Sequence, residues 1–383
     1  MKKFIVFFAA IAMVGAFAFS AVAADWSFYG SSRLTTVSYD RSKEVATYTG
    51  TGSQYDDQDT TWKSQTNARL GANVAAGDVT GRFEFQTGQA VGLRLMYGEW
   101  NFGSGKLLVG QDYTPGDTII SASIGTRPDQ LTGTAAGTGG PGRNEMTDGE
   151  GNALWIGSMY TSRLAQIKLK FGAFQIAFIE PNVSLHSGAV FTESDTTLPK
   201  IEMAYTFKTD MFSVKPYAGY NTYDGVNATD QDYEIESYIY GAQFGVNFGA
   251  AYVKGNIYGA QNASNYGKVN AVSFDKANWN AATNSFNDAD EYGGILLAGF
   301  KLSDMLTFEA GYAMVETEVN NSAAVKCEGD AAHWYINAIV TLAPGVTITP
   351  EIGKFDLGDN VVGGVSTKNG DVAYFGAKWQ INF

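Results

Sequence analysis

Residues 373–383 read AYFGAKWQINF, and their alternation decides the fold. Successive side chains of an extended strand point to opposite faces. Ala373, Phe375, Ala377, Trp379, Ile381 and Phe383 therefore share one side, and Tyr374, Gly376, Lys378, Gln380 and Asn382 share the other. One face is apolar and the other polar or bare. The partner expected for this strand is residues 25–37, DWSFYGSSRLTTV, because their antiparallel pairing would remove the last two edges of a long sheet.

The same alternation recurs along the chain. In QFGVNF, Phe244, Val246 and Phe248 oppose Gln243, Gly245 and Asn247; in PKIEMAYTFK, Ile201, Met203, Tyr205 and Phe207 oppose Lys200, Glu202, Ala204 and Thr206. Strands are expected near 26–39, 61–75, 79–87, 91–102, 105–112, 164–172, 173–180, 199–208, 211–222, 237–248, 249–259, 291–302, 304–316, 332–343, 345–355 and 371–383. Tight gaps such as AAGDVT, FGSGK and APGV alternate with long ones near 40–60, 113–163, 181–198, 223–236, 260–290, 317–331 and 356–370. A β-sandwich also alternates in pattern, but it needs no such asymmetry of turns, and these apolar faces are too continuous for a two-sheet core. The expected fold is all-β: a transmembrane antiparallel barrel of about sixteen strands, with short periplasmic turns and long external loops.

Composition agrees. The 383 residues include 45 glycines, 8 prolines and 14% aromatics at a mean hydropathy of -0.13, a β-rich profile. One cysteine, Cys327, excludes an internal disulfide and a thiolate zinc cluster, and it reads as an inert loop thiol. A formal charge of -13 argues against nucleic acid as a partner. Residues 1–24 read as a cleaved secretory signal, with Lys2 and Lys3, an apolar run from Phe4 to Phe19 and small residues at Ala21 and Ala23; the barrel is assigned to 25–383. A membrane anchor is the competing reading, but the apolar run is short.

Charge parity points to a channel. Arg33, Arg69, Arg82 and Arg94 lie on the non-lipid side of four neighbouring strands. Facing lipid, each would cost about 2 to 4 kcal/mol near the midplane. Lys168, Lys170, Lys200, Lys215, Lys254 and Lys378 share that parity, as do Glu84, Glu202, Glu309 and Glu351, which leaves a net basic lumen wall. Acids are abundant in the long segment after the fifth strand: Asp117, Asp129, Glu145, Asp148 and Glu150. Folded inward, that segment would narrow the pore and set acids against arginines, creating a transverse field that screens solutes by charge. Lying outside as a solvated flap is its alternative.

FYG at Phe28–Gly30, GKLLVGQDYTP at 105–115 and the aromatic Phe383 carry a resemblance to the Gram-negative general porins, over the whole length after residue 24. The resemblance implies a homotrimer in the outer membrane, bounded by lipid and lipopolysaccharide. It also implies a third external loop, about 113–163, folded inward opposite a basic wall at Arg33, Arg69, Arg82 and Arg94, and passive diffusion of small hydrophilic solutes and ions without any cofactor or metal. Phe375, Trp379, Ile381 and Phe383 would then be the signal read by the barrel-assembly machinery. The chain departs from the enterobacterial pattern in lacking a Pro-Glu-Phe-Gly-Gly-Asp stretch in the loop. Its gap TGQAV at 87–91 is also too short for the usual subunit latch. Small outward residues at Gly30, Ser32, Ala68 and Ala72 suit contact between subunits.

Enzyme chemistry finds little support, since His186 and His333 read as rim histidines with no motif linking them to a nucleophile. GTGGPGRN at 137–144 lacks the lysine of a phosphate loop and reads as flexible chain. Acids at Asp56, Asp57 and Asp59 and at Asp288, Asp290 and Glu291 read as solvated loop carboxylates, with calcium as their sharper alternative. Two rivals to a general pore remain: a channel selective for anions, phosphate or sugar, and a plugged barrel acting as adhesin or receptor.

Overall fold

A computed structural model describes residues 24–44, 59–65, 67–87, 91–124, 156–183, 191–269, 272–321, 323 and 325–383. Sixteen antiparallel strands pair in chain order and close on themselves. They are β1 (Asp25–Arg41), β2 (Asp59–Ser64 and Arg69–Ala76), β3 (Val79–Gln86), β4 (Gly92–Asn101), β5 (Lys106–Tyr113) and β6 (Arg163–Phe171). There follow β7 (Phe174–Ile179), β8 (Phe191–Asp195, Lys200–Tyr205 and Phe207–Lys208), β9 (Phe212–Asn227), β10 (Asp232–Phe248) and β11 (Ala251–Gln261). The last five are β12 (Ala289–Ser303), β13 (Leu306–Asn320), β14 (Lys326–Ala343), β15 (Val346–Asp356 and Asp359–Val362) and β16 (Val365–Lys368 and Asp371–Asn382). No helix of the described residues is long and apolar enough to cross a membrane.

The seam joins the two expected partners. Arg33 sits opposite Gln380, Leu34 opposite Trp379 and Ser38 opposite Phe375. Beyond the last ladder pair, Gly30 N–H donates to the Phe383 carbonyl at 2.7 Å and Phe383 N–H donates back at 3.0 Å. A Cβ on Gly30 would overlap the Phe383 ring, so a bare backbone is required there. Closure pairs the barrel's first strand with its last, the two that would otherwise be its open edges.

The outer face follows the parity read from sequence. Phe375, Trp379, Ile381 and Phe383 are exposed, whereas Tyr374 and Lys378 are buried on the inner side. Leu296, Ile257, Ile336 and Ile352 continue the apolar belt, and Trp100, Phe171, Phe207, Phe248 and Phe300 crowd the end that carries the short turns. That arrangement is an apolar band with an aromatic girdle. Of the small residues expected to suit contact between subunits, Ser32 is exposed, whereas Gly30, Ala68 and Ala72 are buried within the chain.

Three gaps expected to be long loops are mostly strand. β9 and β10 are joined by residues 228–231, β13 and β14 by 321–325, and β15 and β16 by Gly363 and Gly364, whose φ of 58° and 82° make a tight hairpin. Asp, Asn and Glu in these stretches read as loop, but cross-strand ladders such as Thr222 opposite Glu236 override that weak propensity. Cys327 and His333 are corrected with them. Cys327 is a buried thiol within β14, packed with Ala289 and Val319, and His333 lies mid-strand, stacked 4.0 Å from the Phe355 ring. Residues 1–23 of the signal segment 1–24, His186, Asp56, Asp57 and residues 137–144 lie outside the described residues.

Candidate functional site

β1 to β5 bring the four sequence-picked arginines to one patch of the inner wall, around one carboxylate among the described residues. Glu84, fully buried on β3, accepts from Arg82 Nη2 at 2.8 Å, from Arg94 Nε at 2.8 Å and from the Tyr29 hydroxyl at 2.9 Å; Arg69 Nε stands 3.7 Å away. Arg82 Nε also donates to Tyr29 Oη at 2.8 Å, and Arg94 Nη2 to Tyr113 Oη at 3.0 Å. Arg33 is buried beside this group. The side chains of Arg69 and Arg82 keep 27% and 32% of their surface exposed, so two guanidiniums reach open space.

A bulge sets this geometry. Opposite β3, Glu84 pairs with Leu95 and Phe85 with Leu93, leaving Arg94 as the extra residue. The bulge turns Leu95 off the outer face, where strict alternation had placed it, and buries it at 1% exposure. It also reverses parity for the rest of β4. Glu99 consequently faces inward and binds Lys106 Nζ at 2.8 Å and Lys170 Nζ at 2.6 Å.

The described ends of the segment after β5, 114–124 and 156–162, lie inside the barrel against the far wall. Ala122 N–H donates to Glu309 Oε1 at 2.7 Å; Ser123 Oγ and Ile124 N–H donate to Glu351 at 2.7 and 2.9 Å. Ser121 Oγ donates to Tyr335 Oη at 2.7 Å, and Gly116 N–H donates to Glu202 Oε1. Ile120, Ile124 and Ile156 pack on inward Ile295, Leu297, Val315 and Tyr335. The inner wall at Glu202, Glu309, Tyr335 and Glu351 is therefore covered by loop.

That covering changes the expected roles. Glu202, Glu309 and Glu351 face inward but lie beneath the loop, because each carboxylate accepts backbone or hydroxyl donors the loop would otherwise leave unsatisfied. Lys200 is likewise covered, donating to the Tyr266 carbonyl at 3.3 Å. Lys168 is held by Asp112 at 2.8 Å, Lys215 reaches the Asp117 carbonyl at 3.4 Å, Lys254 lies 4.7 Å from the Tyr252 ring centre, and Lys378 is buried on β16.

Asp117 does not face the arginines. It sits at the root of the loop, where its carboxylate accepts from Thr161 N–H at 2.7 Å and Thr114 N–H at 3.3 Å. Burial first, and then the neighbouring Glu202, push its carboxyl up to about 7. Among the described residues, the acid that meets the arginines comes from the wall itself, as Glu84. Asp129, Glu145, Asp148 and Glu150 lie outside the described residues.

Sequence reasoning missed a second inward segment between β11 and β12. A one-turn helix, α1 (Ala263–Tyr266), starts after Asn262, and Asn182 and Asn221 donate to the Asn265 carbonyl at 2.9 and 3.2 Å. Lys268 forms a buried ion pair with Glu291 at 2.9 Å, so Glu291 is no solvated loop acid, while Asp290 points outward. Further on, the Ser273 carbonyl accepts from Thr317 Oγ1 at 2.6 Å on β13. The segment thus lies, in its described parts, against the wall from β9 to β13. Its only signal in the sequence was length, shared with loops that turned out to be strand. No group of three or more metal-ligating side chains gathers among the described residues.

No family model and no curated protein matches the sequence. Solved structures do match. The chain superposes on the outer membrane channel DcaP of Acinetobacter baumannii at a TM-score of 0.66 with 15% identity, over 95% of this chain and 99% of that one. The fold is that of the sixteen-stranded porins. An anion-selective porin from Comamonas acidovorans matches at a TM-score of 0.56 and 12% identity, over 94% of this chain and all of that one. OmpF of Salmonella typhi, in complex with daunomycin, matches at 0.53 and 14%, over 95% and 99%. At these identities the sixteen-strand porin likeness is one of fold.

Proposed function

We propose that this protein is an outer-membrane porin, a water-filled channel through which small hydrophilic solutes and ions diffuse passively, with a preference for anions. One observation carries the sign. Among the described residues, Arg69, Arg82 and Arg94 gather on one carboxylate, Glu84, with Arg33 buried beside them, while the acids across the lumen, Glu202, Glu309 and Glu351, are occupied by hydrogen bonds to the inward loop. A fixed excess of positive charge in a narrow, partly apolar passage raises the local concentration of anions and repels cations. The exposed apolar belt with its aromatic girdle supports a place in lipid, and the porin-like fold supports the outer membrane.

Passage then runs along β1 to β5, since the two inward segments occupy the side from β8 to β15. The chain works without a cofactor and without enzymatic chemistry. A cleaved leader at 1–24, assembly as a homotrimer in contact with lipopolysaccharide, and recognition of Phe375, Trp379, Ile381 and Phe383 by the barrel-assembly machinery belong to the same reading. Two inward segments and an apolar patch in the lumen also favour a second reading, a plugged barrel. Liposome swelling separates them. Proteoliposomes are expected to swell in small neutral and anionic solutes, faster in the anion at equal size, whereas a plugged barrel would leave them unswollen in both.

A further inference from the structure

We propose that the segment between β11 and β12 is a second element of the constriction, and that Glu202 is the positioning residue that couples it to the loop after β5. The inference rests on the channel reading for its consequence, but the coupling itself is a matter of contacts. Glu202 spends one oxygen on each segment: Oε1 accepts from Gly116 N–H of the first loop, and Oε2 accepts from the Tyr266 hydroxyl of the second at 2.8 Å. Lys200, on the same strand, donates to the Tyr266 carbonyl at 3.3 Å.

Two further contacts join the segments directly. Val269 N–H donates to the Tyr160 carbonyl at 2.9 Å, and Met159 packs in one buried cluster with Ala263 and Tyr266. The wall is shaped for this docking. A Cβ on Gly219 of β9 would overlap the Tyr266 hydroxyl, so the missing side chain is the slot that admits the ring. Tyr266 enters a fully buried site that holds a carboxylate and a lysine, which is a poor place for any group that does not complete the hydrogen bonds. A loop that only capped the mouth would not need such a socket.

The two segments therefore hold their position together, and loosening the second should loosen the first. Hydrogen exchange on the refolded barrel in detergent tests this without requiring current. Tyr266→Phe removes one donor to Glu202 and keeps the ring that packs with Met159 of the first loop. Gly219→Ala fills the slot, its Cβ overlapping the Tyr266 hydroxyl and crowding Glu202 Cγ, while both Glu202 oxygens keep their donors in reach. Both are expected to speed exchange about tenfold in residues 114–124 as well as in 262–269, while Tyr220→Phe, which removes an exposed hydrogen bond to Glu236, changes neither. Faster exchange confined to 262–269 in both variants would overturn the coupling. In planar bilayers the same two variants are expected to show a noisier open channel than the parent. A silent parent would refute the channel reading and leave the exchange result to decide the coupling.

Discussion

Glu84→Gln removes the negative charge that, among the described residues, sits at the centre of the arginine patch, and keeps the side chain's shape. The formal charge of the patch rises by one unit. For an ion passing at about 7 Å in an effective dielectric of about 60, one unit is worth about 0.8 kcal/mol. Screening at about 0.1 M salt halves that figure. Since an anion gains what a cation loses, the chloride-to-potassium permeability ratio should rise about fourfold. Stability should move the other way. Stripping the partner from a buried ion pair costs about 3–5 kcal/mol, and because Arg69 and Arg82 keep a share of solvent, about 2–3 kcal/mol is expected here. Reversal potentials under a salt gradient read the first effect, and thermal unfolding in detergent reads the second. A ratio that falls or stays put while the barrel remains folded would refute the placement of this cluster along the ion path.

Other outcomes follow from the same contacts. Arg82→Ala, at the most exposed of the arginines paired with Glu84, should lower anion preference about fourfold by the same Coulomb reasoning, and an unchanged reversal potential would remove Arg82 from the passage. Asp117 should make loop docking pH-dependent. Its carboxyl keeps a proton up to about 7 when docked and releases it near 3.8 when free, so the docked state binds more protons and docking weakens as pH rises through that window. Lys200, Lys215 and Glu202 face it throughout. Open-channel noise should rise from pH 5 to pH 8 in the parent and stay level in Asp117→Asn. Deleting Phe383 removes two backbone hydrogen bonds and the ring over Gly30, so folded yield should fall while conductance of the surviving barrels holds; normal yield would count against the seam.

The barrel was legible because lipid imposes a one-dimensional rule. Ile201 and Met203 must alternate with Lys200 and Glu202 wherever a strand has lipid on one side, and the period of two survives any error in strand ends. Arginine placement was legible by the same rule, up to the bulge at Arg94, which put Leu95 inward and hid Glu99. Such a bulge leaves no mark in composition. The inner wall was harder to read, because inward parity does not say what covers a residue. Glu202, Glu309 and Glu351 look alike to Glu84 in sequence, yet three hold loop and one holds arginines. That difference depends on chain brought in from 114–124 and 262–269, which no local pattern announces.

The central claim is that an anion-preferring aqueous passage runs beside the arginine patch. Single-channel recording of the purified parent protein in a planar bilayer, under a tenfold potassium chloride gradient, tests it most directly. A steady current that scales with salt and reverses at a potential of chloride sign is expected. A potassium-signed reversal would contradict the assigned wall, and a barrel that carries no steady current would contradict the channel itself.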